Sequence, residues 1–178
     1  YEGQSAGVSI INSGEGVLTE NQIYGNNGCG VEIATQGNPN LTSNRIFDGK
    51  AEGVYVHDSS KGSVTLNDIY GNQGAGIKVE TDGMTDFTKN NVHDGLSDGI
   101  YCTNGSKSGV NAGTFSGNDI ASNAGAGVHV DNRANPEFVA NAIFDGKAAG
   151  VFIENHGAGQ FSENRIYGNT TAGIHVAT

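Results

Sequence analysis

Apolar and polar residues alternate along this chain in short segments that return at a fixed interval. A recurrent glycine is followed by valine or isoleucine, and a second apolar residue stands two positions later, as in Gly53-Val-Tyr-Val and Gly76-Ile-Lys-Val. Side chains two residues apart on an extended strand point to the same face, so both are expected to face an interior. Apolar spacings of three or four residues are not sustained anywhere, and the pattern therefore predicts strands and turns without helices.

The interval is defined most clearly by one glycine column and one asparagine column. The glycines stand at 7, 30, 53, 76, 99, 127, 150 and 173, and the asparagines stand at 21, 44, 67, 90, 118, 141 and 164. Within each column every step but one is 23 residues. A fixed period of this length is the signature of a solenoid, in which each turn of the chain stacks on the preceding turn.

Three apolar columns run through the repeat, and the first of them follows the glycine. The second column contains Leu18, Leu41, Val64, Phe87, Phe115, Phe138 and Phe161. The third contains Ile23, Ile46, Ile69, Val92, Ile120, Ile143 and Ile166. Three inward columns in each turn predict three parallel sheets around one core, and the preference for right-handed crossovers sets the hand. The predicted fold is therefore all-β: a right-handed parallel β-helix, a single-stranded solenoid with three sheets and 23-residue rungs.

We expect residues 1–178 to form a single β-helix domain. The first and last rungs are partial, so the chain is expected to be a fragment of a longer protein. One rung departs from the rule, because 19 residues lead from Gly99 to Asn118 where the same step in the other rungs takes 14. The extra residues are expected to form a loop within 103–117, and such loops carry function more often than the scaffold does.

Two further columns are interpreted as structural. The asparagine stands two residues before the isoleucine of the third apolar column, so the two side chains are expected to point to the same face. Its amide is therefore expected to point inward and to hydrogen-bond from rung to rung. The turn after the third strand alternates between Gly-Asn and Asp-Gly, as in Gly71-Asn72 and Asp94-Gly95. Both pairs suit a turn that contains a left-handed residue. We interpret the alternation as an inherited duplication of two rungs.

Composition narrows the range of functions. Glycine supplies 29 residues and proline two, and the periodic placement of the glycines indicates turns rather than disorder. Nine Lys and Arg against 19 Asp and Glu give a net charge of −10, which argues against binding to nucleic acid or to anionic membranes. No apolar run is long enough to span a bilayer, so membrane insertion is not expected. Cys29 and Cys102 lie three repeats apart, too far for a disulfide, and are expected to be free, buried thiols.

The repeat resembles a known family. Segments such as NDIYGNQGAGIKV and NRIFDGKAEGVYV look like the β-helix repeats shared by carbohydrate-binding proteins and sugar hydrolases. These repeats are similar to those of mannuronan C-5 epimerases, pectate lyases and periplasmic copper-enzyme maturation proteins, and NPNLTSNRIFDGKAEGV resembles the substrate-recognition β-helix of an F-box ubiquitin-ligase family. The resemblance implies the fold, and it implies that the sheet of first strands forms the floor of a saccharide cleft. The acidic Asp-Pro-His signature of the epimerases and the arginine-rich strand of the lyases are missing, which favours recognition over catalysis.

The outward positions of the first strand therefore form the most informative surface. Their first column is Ser9, Glu32, Tyr55, Lys78, Tyr101, His129, Phe152 and His175, and the second is Ile11, Ala34, His57, Glu80, Thr103, Asp131, Glu154 and Ala177. Tyr55, His57, Lys78, Glu80 and Tyr101 fall on one patch beside the inserted loop, and we predict that Tyr55, Lys78 and Tyr101 bind a ligand. In a catalytic alternative, Lys78 between the two tyrosines acts as a base or anchors a uronate carboxylate, with His57 or Glu80 as its proton partner. A third interpretation is that the residues of this patch are ordinary surface residues.

A further outward column is aromatic. It contains Tyr1, Tyr24, Phe47, Tyr70, His93, Ala121, Phe144 and Tyr167. Stacked aromatic residues bind sugar faces or the apolar residues of a partner, and Tyr24, Phe47 and Tyr70 are therefore predicted to bind a ligand. Alternatively, the rings cover one another and stabilise the stack.

No metal site or other cofactor is predicted. His129 and His175 lie two rungs apart, which is too far for both to bind one ion. The candidates for attracting Ca²⁺ are five acidic residues: Asp58, Asp82, Asp86, Asp131 and Glu154. The Asp-rich spacing of a calcium loop is absent from the sequence.

The sequence-based hypothesis is a non-catalytic recognition solenoid that binds a glycan or a protein partner along its sheet surface. One alternative is a polysaccharide lyase or C-5 epimerase that acts on uronate polymers. Another is a structural segment of a surface or filament protein, since open strands at both ends permit end-to-end self-association. The compartment is left open, with an extracellular or periplasmic location favoured.

Overall fold

The computed structural model describes residues 3–80, 82–104 and 112–177, which coil into a solenoid of three parallel sheets. The described residues contain 22 strands and no helix, so no helix among them is long and apolar enough to cross a membrane. The predicted all-β solenoid with three sheets and 23-residue turns is confirmed. Residues 105–111 of the predicted loop within 103–117 lie outside the described residues.

Each sheet takes one strand from every turn, and the strands are numbered along the chain. The first sheet contains β1 (Val8–Ile10), β4 (Val31–Ile33), β7 (Val54–Val56), β10 (Ile77–Glu80), β13 (Ile100–Thr103), β16 (Val128–Val130), β19 (Val151–Ile153) and β22 (Ile174–Val176). The second contains β2 (Glu15–Thr19), β5 (Asn38–Thr42), β8 (Ser63–Thr65), β11 (Asp86–Thr88), β14 (Thr114–Ser116), β17 (Glu137–Val139) and β20 (Gln160–Ser162). The third contains β3 (Gln22–Tyr24), β6 (Arg45–Phe47), β9 (Asp68–Tyr70), β12 (Asn91–His93), β15 (Asp119–Ala121), β18 (Ala142–Phe144) and β21 (Arg165–Tyr167).

The inward columns form one continuous core along the axis of the solenoid. Phe87, Phe115 and Phe138 are completely buried, and their rings stack with centroids 4.7 and 4.5 Å apart. Ile174 and Val176 of β22 pair with β19 and are exposed, whereas the corresponding residues of β4, β7, β10, β13 and β16, which each lie between two other strands, are buried. Stacking of turn on turn, rather than a globular interior, therefore buries the apolar side chains.

Both cysteines are buried free thiols, as predicted. Burial, together with the nearby carboxylate of Glu32, raises the pKa of Cys29 to about 12. Burial raises the pKa of Cys102 as well. The thiolate is the reactive form of cysteine, so neither residue is a nucleophile at neutral pH.

The asparagine column forms the predicted ladder. The side-chain amide of each asparagine donates to the Oδ1 atom of the asparagine one turn further along, over distances of 2.9 to 3.0 Å from Asn21 to Asn164. The same Oδ1 atom also accepts the backbone N–H of the preceding asparagine, as Asn141 does from Asn118 at 2.9 Å. The ladder remains continuous from Asn90 to Asn118, across the longer rung.

A second set of asparagines gives the alternating turn a structural role that the sequence interpretation missed. The Oδ1 atom of Asn72 accepts the backbone N–H of Gly49 one turn earlier at 3.0 Å, and a Cβ atom on Gly49 would lie only 3.0 Å from that oxygen. Conversely, a Cβ atom on Gly71 would lie 2.4 Å from Oδ1 of Asp48. Each Gly-Asn turn therefore fits the Asp-Gly turn beneath it. The alternation is more than an inherited duplication, because it provides complementary packing between neighbouring turns.

Candidate functional site

The outward face of the first sheet carries the predicted patch. The strand register pairs Lys78 with Tyr55 on one side and with Tyr101 on the other, as the repeat predicted. The Nζ atom of Lys78 lies 4.8 Å from the ring centroid of Tyr55 and 5.8 Å from that of Tyr101. The lysine is thus held between two aromatic rings, a geometry in which a cation is attracted to the ring faces.

The charge of Lys78 is already matched by carboxylates. Its Nζ atom lies 3.1 Å from Oε2 of Glu80 and 3.9 Å from Oε1 of Glu52. Burial alone would raise the pKa of Glu80, but hydrogen bonds from Tyr55 and Lys78 outweigh it and lower that pKa below its ordinary value. Glu80 is therefore an ionised partner of the lysine, and Lys78 is not a free cation.

Both tyrosines donate their hydroxyl groups to carboxylates. Tyr55 Oη donates to Glu80 Oε2 at 2.7 Å, and Tyr101 Oη donates to Asp131 Oδ2 at 3.1 Å. Burial and Glu80 raise the pKa of Tyr55, and burial and Asp131 raise the pKa of Tyr101 to about 12. Each tyrosine consequently keeps its proton at neutral pH and serves as a hydrogen-bond donor.

His57 extends the patch towards the earlier turns. Its ring stacks on Tyr55 with centroids 4.4 Å apart, Nδ1 lies 2.9 Å from Asp58 Oδ2, and Nε2 lies 3.4 Å from Glu32 Oε1. The other oxygen of Glu32 accepts from Ser9 Oγ at 2.7 Å. The patch is therefore a network in which side-chain hydrogen bonds orient Glu32, Glu80 and Asp131.

Two residues of the second outward column do not face solvent. Ala34 and Thr103 are 2% and 6% exposed, whereas the sequence parity placed both on the outer face. Both lie at the end of a strand of the first sheet, where the chain turns toward the second sheet and side chains no longer alternate between the two faces. His57, Glu80, Asp131 and Glu154 of the same column remain partly exposed.

A second cluster lies in the later turns of the same face. Nδ1 of His129 lies 3.1 Å from Asp98 Oδ2, and its Nε2 lies 3.2 Å from Glu154 Oε1. Asp131 is close enough for one atom each of His129, Asp131 and Glu154 to lie within 4.8 Å of one another. Burial alone would lower the pKa of His129, but Asp98, Asp131 and Glu154 outweigh it and raise that pKa.

A shallow groove borders this cluster. The imidazole and benzene rings of His129, Phe152 and His175 follow one another at 5.0 and 5.1 Å and form its floor, and Ala126 and Ala149 form part of its wall. Its volume is about 390 Å³. The three rings belong to the same outward column as Tyr55, Lys78 and Tyr101, so the groove lies further along the same sheet face.

The aromatic column of the third sheet is packed ring on ring. Tyr24, Phe47 and Tyr70 stack with centroids 4.9 Å apart and with planes 13° and 3° from parallel, and His93 continues the stack at 5.2 Å. Arg45 lies over the rings of Phe47 and Tyr70 and reaches the Tyr70 hydroxyl. The ring faces of Phe47 and Tyr70 are therefore covered by neighbouring rings, and edges and hydroxyl groups are what these residues offer to a ligand.

The model of a protein family described as a right-handed beta helix region matches this chain over residues 1–112 and again over 107–178. The chain belongs to the right-handed β-helix family. No curated protein matches it in sequence.

Solved structures of alginate-modifying enzymes share the fold of this right-handed β-helix protein. A mutant of the periplasmic alginate epimerase AlgG is 17% identical with a TM-score of 0.70, covering 92% of this chain and 39% of that one. Unmutated AlgG is 14% identical with a TM-score of 0.61, covering 97% and 48%. The A-module of the Azotobacter vinelandii mannuronan C-5 epimerase AlgE4 is 14% identical with a TM-score of 0.58, covering 97% and 61%. This chain thus spans about 40 to 60% of the length of these enzymes.

Within this right-handed β-helix, the structure brings together Tyr55, His57, Lys78, Glu80 and Tyr101 but adds residues that the sequence did not suggest. Glu52 and Asp98 each precede the recurrent glycine, where most other rungs have alanine. Each carboxylate reaches a basic side chain of the next turn, Lys78 or His129. The replacement of alanine by an acidic residue at these two positions could have indicated from the sequence that charged groups border the sheet.

Proposed function

We propose that this β-helix recognises a polysaccharide along the outward face of its first sheet, with Tyr55, Lys78 and Tyr101 at the centre of the binding surface. The observation that carries the proposal is the way in which Lys78 is held. It lies between two tyrosine rings and is paired with Glu80, so the patch is ordered before any ligand arrives. Groups already fixed in position lose little freedom on binding, and such preorganisation favours affinity.

The chemistry of the patch suits a neutral, hydroxyl-rich sugar. Glu32, Glu80 and Asp131 are each held by hydrogen bonds from protein groups. An ionised carboxylate offers about four acceptor sites on its two oxygens, so Glu32 and Glu80 keep acceptor capacity for the hydroxyl groups of a glycan. Hydrogen bonds to charged acceptors are the stronger kind, and several in a row along the sheet favour an extended polymer.

A uronate polymer fits this surface less well. Lys78 is the lysine at the centre of the patch, and Glu80 and Glu52 already neutralise it. The negative groups around it would repel a polyanion unless a cation intervened. Recognition of a neutral glycan is thus better supported than binding of alginate or pectate.

C-5 epimerisation is the second candidate, because alginate epimerases share the fold and because tyrosine, histidine and lysine meet on the same sheet face. The reaction requires a base at the proton to be removed and positive charge at the uronate carboxylate. Tyr55 and Tyr101 have raised pKa values, and the charge of Lys78 is committed to Glu80. The protonation states of these groups support recognition rather than proton abstraction.

Replacing Tyr55 and Tyr101 together by alanine is expected to lower affinity for a neutral polysaccharide at least tenfold. Each hydrogen bond that involves a charged group contributes about 1.5–3 kcal/mol, and both carboxylates would lose the donor that orients them. Binding is measured by isothermal titration calorimetry on the best neutral glycan found in an array. Tyr167→Ala is the matched control, since Tyr167 is 45% exposed on the third sheet. Undiminished binding by the double variant would show that this face is not the binding surface.

The protein is expected to show no turnover of alginate, mannuronan or pectate, with or without Ca²⁺. Lyase activity is followed by the ultraviolet absorbance of unsaturated products, and C-5 epimerisation is followed by proton NMR. Turnover by the wild-type chain that is lost in Lys78→Ala would refute the recognition proposal and establish the enzymatic alternative.

A further inference from the structure

The imidazole of His129 is enclosed by carboxylates on both sides. Asp98 Oδ2 lies 3.1 Å from Nδ1, and Glu154 Oε1 lies 3.2 Å from Nε2. A neutral imidazole carries one N–H group, and the nitrogen without it presents a lone pair. Whichever nitrogen holds the proton, the other therefore faces a carboxylate oxygen with no hydrogen between them. A second ring proton or a metal ion on one side of the ring removes this repulsion.

A second observation indicates the side on which that species lies. Asp131 Oδ2 accepts the hydroxyl of Tyr101 at 3.1 Å, but Asp131 Oδ1 is buried and has no hydrogen-bond partner among the described residues. A buried oxygen without a partner is costly and indicates a missing ion or water. A second proton on His129 would satisfy the imidazole alone, whereas a cation held among His129, Asp131 and Glu154 would satisfy both the imidazole and Asp131.

The spacing of the three groups fits a metal ion. One atom each of His129, Asp131 and Glu154 lies within 4.8 Å of the others, and the Nε2 to Glu154 distance is 3.2 Å. Two ligands that are each about 2.1 Å from a tetrahedral ion lie about 3.4 Å apart, so Nε2 of His129 and Oε1 of Glu154 already have a suitable separation, and Asp131 has to approach them by up to about 1.4 Å. In metal sites, the second nitrogen of a ligating histidine commonly donates to a carboxylate, which is the position of Asp98.

Two other histidines also lie between two carboxylates. His57 lies between Asp58 and Glu32, and His93 lies between Asp94 and Asp68. Neither belongs to a group of three possible ligands among residues 3–80, 82–104 and 112–177. The third ligand at His129, and the unpartnered oxygen that accompanies it, distinguish this cluster from the other two.

We propose that His129, Asp131 and Glu154 bind a divalent transition-metal ion of the Zn²⁺ class on the outer face of the first sheet. One imidazole nitrogen and two carboxylate oxygens suit Zn²⁺ better than Ca²⁺, which prefers oxygen ligands alone. Asp98 is a positioning residue that orients the imidazole. Water would fill the remaining coordination positions of the ion. The site adjoins the proposed glycan-binding surface through Asp131, which accepts the Tyr101 hydroxyl, and titration with Zn²⁺ in the absence of glycan tests it separately.

Titration of the metal-free chain with Zn²⁺ by calorimetry is expected to give one saturable site. Co²⁺ in its place is expected to produce visible absorption bands characteristic of a nitrogen and oxygen ligand set. Asp131→Asn and Glu154→Gln preserve side-chain size, and each is expected to weaken Zn²⁺ binding at least tenfold. Asp98→Asn is expected to weaken it by about 10- to 100-fold, as for other groups that orient a ligand.

His93→Gln is the matched control, because it removes a histidine flanked by two carboxylates that lacks the third ligand. Its Zn²⁺ affinity is expected to equal that of the wild type. The absence of saturable Zn²⁺ binding would overturn the proposal, and so would binding that survives in Asp131→Asn and Glu154→Gln. Binding of Ca²⁺ without Zn²⁺ would also overturn it, since the imidazole would then have no role as a ligand. Thermal melts of each variant without metal verify that it is folded.

Discussion

Replacing Phe138 by alanine is expected to lower the free energy of unfolding by about 3–5 kcal/mol, the usual cost of truncating a large core aromatic residue. The Phe138 ring is completely buried and stacks between Phe115 and Phe161, with centroids 4.5 and 5.0 Å away. Its removal leaves a cavity in the middle of the axial core and ends both ring contacts. Urea denaturation followed by far-ultraviolet circular dichroism measures the loss.

Val139→Ala is the control for this substitution. Val139 is the next residue on the same strand and points to the other face, where it is partly exposed. Its truncation is expected to cost less than about 1 kcal/mol, because the removed methyl groups are partly hydrated already. A cost below about 0.5 kcal/mol for Phe138→Ala would be typical of a surface residue and would contradict the inward assignment of the second column.

Asn118→Ala is expected to destabilise the protein by about 3 kcal/mol or more. Asn118 is completely buried, and its Oδ1 accepts both the backbone N–H and the side-chain amide of Asn90. Its own amide donates to the carbonyl of Phe87 at 3.0 Å. The substitution removes the acceptor of the buried Asn90 N–H and a donor to the Phe87 carbonyl, whereas the Asn90 amide keeps its bond to the carbonyl of Val64. Each buried group that is left unsatisfied costs about 1–3 kcal/mol.

Asn91→Ala provides the comparison for the ladder. Asn91 is exposed and makes one side-chain hydrogen bond, to Asp68 Oδ1 at 3.1 Å. Water can replace that bond, so the change is expected to fall within about 0.5 kcal/mol of wild type. Equal stabilities for the two variants, measured by the same urea denaturation, would mean that the amide ladder contributes little to the stacking of turns.

The fold could be read from the sequence because a stacked solenoid repeats its constraints in every turn. Phe87, Phe115 and Phe138 occupy equivalent positions in successive turns, and all three are buried. Where one turn alone does not show which face of a strand is buried, the equivalent residues of the neighbouring turns do. The same reasoning placed Lys78 between Tyr55 and Tyr101. In a parallel sheet with a fixed period, residues whose numbers differ by one period lie side by side on adjacent strands. The period also breaks down where strands end, which is why Ala34 and Thr103 were placed on the wrong face.

The side-chain contacts of the site could not be derived in the same way. Alignment of the repeats shows which residues are neighbours, but it does not determine their side-chain rotamers. The pairing of Lys78 with Glu80 and Glu52 depends on those rotamers. The cluster of His129, Asp131 and Glu154 was missed because each outward column was considered separately. Its members come from two adjacent columns and two adjacent turns, so they are visible only when both columns are read together.

The complementary turns have a consequence for anyone who wishes to lengthen or shorten this solenoid. Asn72 accepts from Gly49 and Asn169 accepts from Gly146, so an Asn-bearing turn needs a glycine-bearing turn beneath it. The interchangeable building block is therefore a pair of turns, 46 residues from Asn26 to Asn72 and again from Asn123 to Asn169. Deleting or inserting a single turn would bring two like turns together and break the alternation, whereas a two-turn module preserves the contact between each asparagine and the glycine beneath it.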